Sequence, residues 1–192
     1  MRLIDAVDQK SAEYRTKQPF GQVPVLEEDG RPPMFESGAI VWDVAERAGV
    51  LIPADPAQRA QVLAWYFAAL STLEPALNNV AEAEFFMRDE DQKAARLPQV
   101  APFARQRLSE LQTALGERDW LVGDAFTVAD LMTASVLRIA TSLDLLRDFP
   151  ALQAYQDRCL DRPAYRQALE DQCAIIAAHG PRDMRYREAQ GG

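Results

Sequence analysis

The spacing of apolar positions changes character near residue 50. Before it, short apolar runs are broken by Gly, Pro and acidic residues; after it, apolar side chains recur every three to four positions, the period of helices. In the first part, residues 2–7 (Arg-Leu-Ile-Asp-Ala-Val) read as a short strand. Ser11 caps a short helix reaching Lys17, which must end before Pro19 because the residue preceding proline avoids the α region. Residues 23–26 and 34–35 flank the turn-bearing segment Glu27-Glu28-Asp29-Gly30-Arg31, which predicts an antiparallel hairpin, loosened by Pro32 and Pro33. A helix opens at Ser37, with Ile40, Val44 and Ala48 at helical spacing and Gly49 where a C-terminal cap belongs.

From Leu51 onward the pattern predicts no strand. Residues 51–56 form a linker, and residues 57–77 a long helix that Pro75 bends or ends. The centre of that helix, residues 62–70, is apolar on all sides and should be covered on more than one face. Leu108, Leu111 and Leu115 mark a second long helix that Gly116 terminates. A third runs over residues 127–141, with Leu131, Met132, Ser135, Val136 and Ile139 facing inward. Phe149, Leu152 and Tyr155 belong to one further helix, Tyr165 and Leu169 to another, which has Pro163 in its first turn. The expected class is α/β plus all-α: residues 1–50 a small α/β domain, 51–56 a linker, 57–180 an all-helical domain, and 181–192 a fraying charged tail containing Arg182, Arg185 and Arg187.

Composition narrows the function classes. The 192 residues carry 21 Lys+Arg against 29 Asp+Glu, a net charge of -8, and an acidic surface repels phosphate backbones, which argues against a nucleic-acid partner. No stretch approaches the roughly 20 apolar residues of a membrane span, and the opening residues lack an apolar signal-peptide core. With Cys159 and Cys173 the only cysteines and His179 the only histidine, the sequence argues against disulfide frameworks, metal clusters, multi-histidine metal sites and Ser-His-Asp triads. The cysteines read as packing residues or inert surface thiols, and His179 as a partner for helix-terminal carbonyls. A cytoplasmic protein without metal or membrane partner is expected.

The densest chemistry lies in Phe20-Gly21-Gln22-Val23-Pro24-Val25-Leu26 and Glu36-Ser37-Gly38-Ala39-Ile40. Proline cannot donate to a sheet ladder, and a cis Val23–Pro24 bond would turn the N–H and C=O of Val23 out of the sheet, toward a peptide-like ligand. The Ser37 hydroxyl and the free N–H groups of its helix form an anion site, while Glu36 can accept from an ammonium group. Taken singly, each feature is better met by an edge-strand proline and an ordinary Ser cap; together they suit an amino acid or peptide. Farther on, Thr127 and Asp130 form a capping-box pattern with Phe126 and Leu131 as hydrophobic staple, so Asp130 is read as holding a helix.

The segments Gly21-Gln22-Val23-Pro24-Val25-Leu26 and Glu36-Ser37-Gly38-Ala39-Ile40 resemble the glutathione-binding half of the cytosolic glutathione S-transferases, bacterial members in particular. Phe126-Thr127-Val128-Ala129-Asp130-Leu131 resembles the helix-start motif of that family's all-helical domain. The resemblance covers residues 1 to about 175 in order. It implies a thioredoxin-like domain followed by an all-helical one, with Val23 pairing to the cysteinyl part of glutathione before a cis Pro24. It also implies that Glu36 and Ser37 hold the γ-glutamyl end, that Gln22 helps, and that Lys17 is a weaker candidate for the glycyl carboxylate. Tyr66, Phe67 and Leu70 would line a pocket for a small electrophile, although core packing explains each equally well. Glutathione would be the co-substrate and a twofold homodimer the assembly.

The resemblance also implies that the first strand, the loop carrying the thiol-activating Tyr, Ser or Cys, and the first helix precede the matched segment. Ser11 and Tyr14 belong to the next helix, so no residue here is assigned a catalytic role and the thioredoxin-like domain is expected to be incomplete at its N-terminus. A start placed too far downstream, a fragment and a degenerate form stay open. Activity is expected in the full-length form; the alternatives are a non-catalytic glutathione-binding or regulatory protein, or a glutathione-dependent isomerase, dehalogenase or reductase.

Overall fold

Asp5, not a strand, organises the start of the chain. In this computed structural model, which describes residues 3–179, the carboxylate of Asp5 accepts from the N–H groups of Val7 and Asp8, both at 2.8 Å, and Asp8 accepts from the N–H of Asp5 at 3.4 Å. This capping box opens helix α1 (Ala6–Lys10) and overturns the strand expected over residues 2–7. Val7, 78% exposed, has no core to alternate toward, so the capping chemistry wins over the apolar run. Ser11 then caps α2 (Ala12–Arg15), its hydroxyl accepting from Tyr14 N–H at 3.1 Å. The tail expected at residues 181–192, with Arg182, Arg185 and Arg187, lies outside the described residues, as does the His179 side chain.

The predicted hairpin is present but short. β1 (Val25–Leu26) pairs antiparallel with β2 (Met34–Phe35), Val25 opposite Phe35 and Leu26 opposite Met34. Pro32 and Pro33 bring no N–H to the ladder, which limits its length. α3 (Ser37–Ala48) follows directly and ends in a Schellman turn: Gly49, at φ 68°, donates to Glu46 and Val50 donates to Ala45, both at 3.1 Å.

The chain divides into two compact units, one formed by the residues up to Ile40 and from Arg162 onward, the other by Val41–Asp161. Within the second, Asp55 caps α4 (Pro56–Ala68), which continues through a wide turn at Ala69–Leu73 into α5 (Glu74–Ala81) and a second wide turn at Glu82–Phe86. Pro75 therefore does not end the helix. The N–H of Glu74 reaches back five residues to Ala69, and this widened register precedes the position where proline has no N–H to offer. Only one stripe of the helix, Val62, Tyr66, Ala69 and Leu73, is buried; Leu63 is 40% and Phe67 58% exposed, so cover on all sides is not what residues 62–70 receive.

The helix that is covered widely is α7 (Val128–Ser142), packed against α4, α5 and α8 (Pro150–Leu160). Its buried set is Val128, Ala129, Asp130, Met132, Thr133, Ala134, Val136, Leu137 and Ala140. Ser135, expected inward, is exposed, while Leu131 and Ile139 are half-buried. α6 (Glu90–Leu115) contributes Val100, Ala104, Leu108, Leu111 and Leu115 to the same core and stops at Gly116 (φ 58°). Val41, Trp42 and Ala45 of α3 and Leu51 and Ile52 also pack there, and the carbonyl of Leu51 accepts from the first N–H of α7 at 2.9 Å. α9 (Pro163–His179) is largely exposed.

Gly21 is fixed by close approach as well as by φ 68°. A Cβ there would sit 2.8 Å from the carbonyl oxygen of Gln9, whereas Gly30, at φ 76°, has nothing within 4 Å. Gly21→Ala is expected to lower stability by about 1–2 kcal/mol for its backbone conformation alone, and by more than Gly30→Ala because of the clash. Urea midpoints of the two variants check the order.

Candidate functional site

The loop between α2 and β1 is tied from three sides. The side-chain oxygen of the buried Gln18 accepts from Phe20 N–H at 2.6 Å, and Phe20 meets Phe35 edge-on at 6.4 Å between ring centres. The hydroxyl of Tyr14 donates to the carbonyl of Gln22 at 2.7 Å. The loop delivers Val23 to a cis peptide bond with Pro24. Val23 is 58% exposed, and neither its N–H nor its C=O is engaged among the described residues.

On the partner strand the chain passes from β2 into α3 through Glu36, at φ 68°. A non-glycine residue in this region is uncommon, and such outliers concentrate where a backbone must present particular groups. The Glu36 carbonyl still accepts the first helical bond, from Ile40 at 3.0 Å. Ser37 is exposed, and the first turn of α3 carries no acidic side chain, so the positive end of the helix dipole faces outward beside its hydroxyl. Continuing the Val25–Phe35 register by two residues sets Val23 at the same end of the hairpin as Glu36 and Ser37. The hairpin thus brings together a strand-like backbone edge, a hydroxyl at a helix N-terminus and a carboxylate. Lys17 is held by Glu27 at 2.8 Å.

The other predicted residues lie in the second unit. Tyr66 is buried, meeting Trp42 edge-on at 5.5 Å, and burial pushes its hydroxyl up to about 12. Phe67 points outward and Leu70 is half-buried. Asp130 is fully buried. One of its oxygens accepts from Leu121 N–H at 2.8 Å and from the Tyr155 hydroxyl at 2.9 Å; the other accepts from the N–H and hydroxyl of Thr127, both at 2.9 Å. Burial, and after it the charge of Asp130, raises the Tyr155 hydroxyl well above its ordinary value. Sequence reasoning found the Thr127 arm and missed Tyr155, whose signal was a phenol in an apolar helical stripe needing a hydrogen-bond partner. It also missed Tyr14, because no local spacing links a residue to a carbonyl eight positions on.

The two buried phenols set an alkaline limit. In the unfolded chain they ionise near pH 10, and in the fold later, so the stability they give is complete below pH 10 and falls as pH rises through the folded values. For Tyr66, at about 12 in the fold, the full loss is about 2–3 kcal/mol. The urea midpoint is expected to fall steadily from pH 10 to pH 12 and less steeply in Tyr66→Phe. A flat profile would contradict this.

Among the described residues no helix is long and apolar enough to cross a membrane, and no three His, Cys, Asp or Glu side chains gather as metal ligands. In comparisons with known proteins, the family described as glutathione S-transferase, C-terminal domain, matches residues 80–163. A maleylacetoacetate isomerase of Rhizobium meliloti is 30% identical over 168 residues, 84% of this chain and 78% of that protein. A disulfide-bond oxidoreductase of Escherichia coli K12 is 28% identical over 187 residues, 88% of this chain and 82% of the relative. The crystal structure of a glutathione transferase from Burkholderia graminis, with two glutathione molecules bound per subunit, superposes with a TM-score of 0.76 at 26% identity, covering 85% of this chain and 72% of that one.

Proposed function

The chain belongs to the glutathione S-transferase family, and we propose that it binds glutathione through Gln22, Val23, Pro24, Glu36 and Ser37. The observation that carries this reading is the exposed, unengaged backbone of Val23 at the same hairpin end as Glu36 and Ser37. Val23 pairs in strand fashion with the cysteinyl unit of the tripeptide. Ser37 and the N-terminus of α3 take the γ-glutamyl carboxylate, and Glu36 its ammonium group. Glutathione acts as co-substrate, its thiolate attacking a small electrophile, for which Tyr66, Phe67 and Leu70 are the candidate contacts. Thr127 and Asp130 serve the fold. The protein works in the cytoplasm as a twofold homodimer, a reading supported by the exposed Leu63 of α4. Light scattering should give twice the chain mass at micromolar concentration.

Calorimetry with glutathione and with cysteinylglycine, which lacks the γ-glutamyl unit, tests the binding mode. Glutathione is expected to bind and the dipeptide to bind far more weakly; equal affinities would remove Glu36 and Ser37 from the site. A second reading, binding without turnover by these residues, is favoured by the hydroxyls of residues 11–16. Tyr14 donates to Gln22, Ser11 to the carbonyl of Asp8 at 2.7 Å and Thr16 to that of Glu13 at 2.7 Å, so each is already committed. A chromogenic electrophile assayed with glutathione separates the two readings.

A further inference from the structure

The carbonyl that accepts from Tyr14 belongs to the same peptide unit as the N–H of Val23. Val23–Pro24 is the cis bond in this stretch, so the Gln22–Val23 unit is trans and planar, with its C=O and N–H pointing in opposite directions. Holding the oxygen from one side therefore sets the direction of the N–H on the other. Among the described residues nothing else engages this unit: Gln18 acts on Phe20 and Gly21 packs against Gln9, contacts that shape the loop but leave the Gln22–Val23 plane free to tilt.

We propose that Tyr14 is a positioning residue for glutathione, its hydroxyl fixing the Gln22–Val23 peptide so that the N–H of Val23 meets the cysteinyl carbonyl of the ligand. The proposal rests on the glutathione reading above. Tyr14 is itself placed by the Ser11 cap of α2, whose hydroxyl accepts from its N–H at 3.1 Å. Burial, and then the charge of Glu27, raises the Tyr14 hydroxyl above its ordinary value. A carbonyl already accepting a hydrogen bond polarises its amide, which strengthens the Val23 N–H as a donor to the ligand.

The test is Tyr14→Phe in the full chain, beside wild type and Ser37→Ala, titrated calorimetrically with glutathione. Tyr14→Phe is expected to weaken binding roughly 3-fold to 10-fold with an unchanged urea midpoint. In the ligand-free protein the Gln22 carbonyl ¹³C and Val23 amide ¹⁵N resonances should move, a signature that a general stabilising role would not confine to this peptide. If wild type and Ser37→Ala differ in affinity while Tyr14→Phe equals wild type, the role of Tyr14 falls and the glutathione reading stands. Absence of glutathione binding by the folded wild type overturns both. A lowered urea midpoint or lost fold in Tyr14→Phe makes the hydroxyl a stability element and overturns the proposal.

Discussion

Asp130→Ala is expected to lower stability by about 3–5 kcal/mol, the scale seen when one partner is removed from a buried charged network. A capping box alone is worth on the order of 1 kcal/mol, and an exposed Asp130 would cost no more than that to remove. Here the carboxylate is fully buried and accepts four hydrogen bonds. Truncation leaves the Tyr155 hydroxyl, the Leu121 N–H and the two Thr127 donors in a closed core, each unsatisfied group costing about 1–3 kcal/mol before relaxation. Asp130→Asn keeps the shape and one acceptor oxygen, so its loss should be smaller; Tyr155→Phe should lose about 1 kcal/mol. Urea denaturation of the three variants gives the order directly. Glutathione affinity of the folded fraction should stay at the wild-type value, and a large affinity loss at an unchanged midpoint would move Asp130 from the fold to the site.

The second large effect concerns binding. In Ser37→Ala, an anion at the N-terminus of α3 loses a hydroxyl donor whose charge-assisted bond contributes about 1.5–3 kcal/mol, a weakening of roughly 10-fold to 150-fold. Ser37 is exposed at the helix start, so the substitution disturbs no core contact and the urea midpoint should barely change. Calorimetric titration of glutathione into both proteins measures the difference. Unchanged affinity would mean that the γ-glutamyl carboxylate lies elsewhere.

How much of this was legible in the sequence depended on how local the determining chemistry is. The hairpin, the Ser37 helix start, the Gly49 and Gly116 stops and the Thr127–Asp130 pair are all set within a few residues, and they stand where the pattern puts them. Residues 2–7 misled because apolar content was weighed above Asp5 and Asp8, three apart, which close a capping box. The all-round apolar centre of α4 misled differently. Its composition suggests burial, but whether a neighbour covers Leu63 and Phe67 is a question of packing that no residue pattern within the helix answers. Ser135, expected inward, is exposed because α7 is packed from several directions, so a single-stripe reading of its period picks the wrong edge. In the candidate site, Val23, Glu36 and Ser37 were readable from motif and cap. Tyr14 was not, since its role depends on a turn of the chain that brings α2 over the Gln22 carbonyl.

¹H–¹⁵N correlation spectra of the labelled chain, recorded during addition of glutathione, follow each backbone amide separately. The Val23 N–H should shift with ligand concentration, together with Ser37 and the first turn of α3, and these resonances should share one dissociation constant. Saturation by glutathione that leaves Val23 and Ser37 unmoved while shifting only amides within residues 41–161 would contradict the assignment of the site.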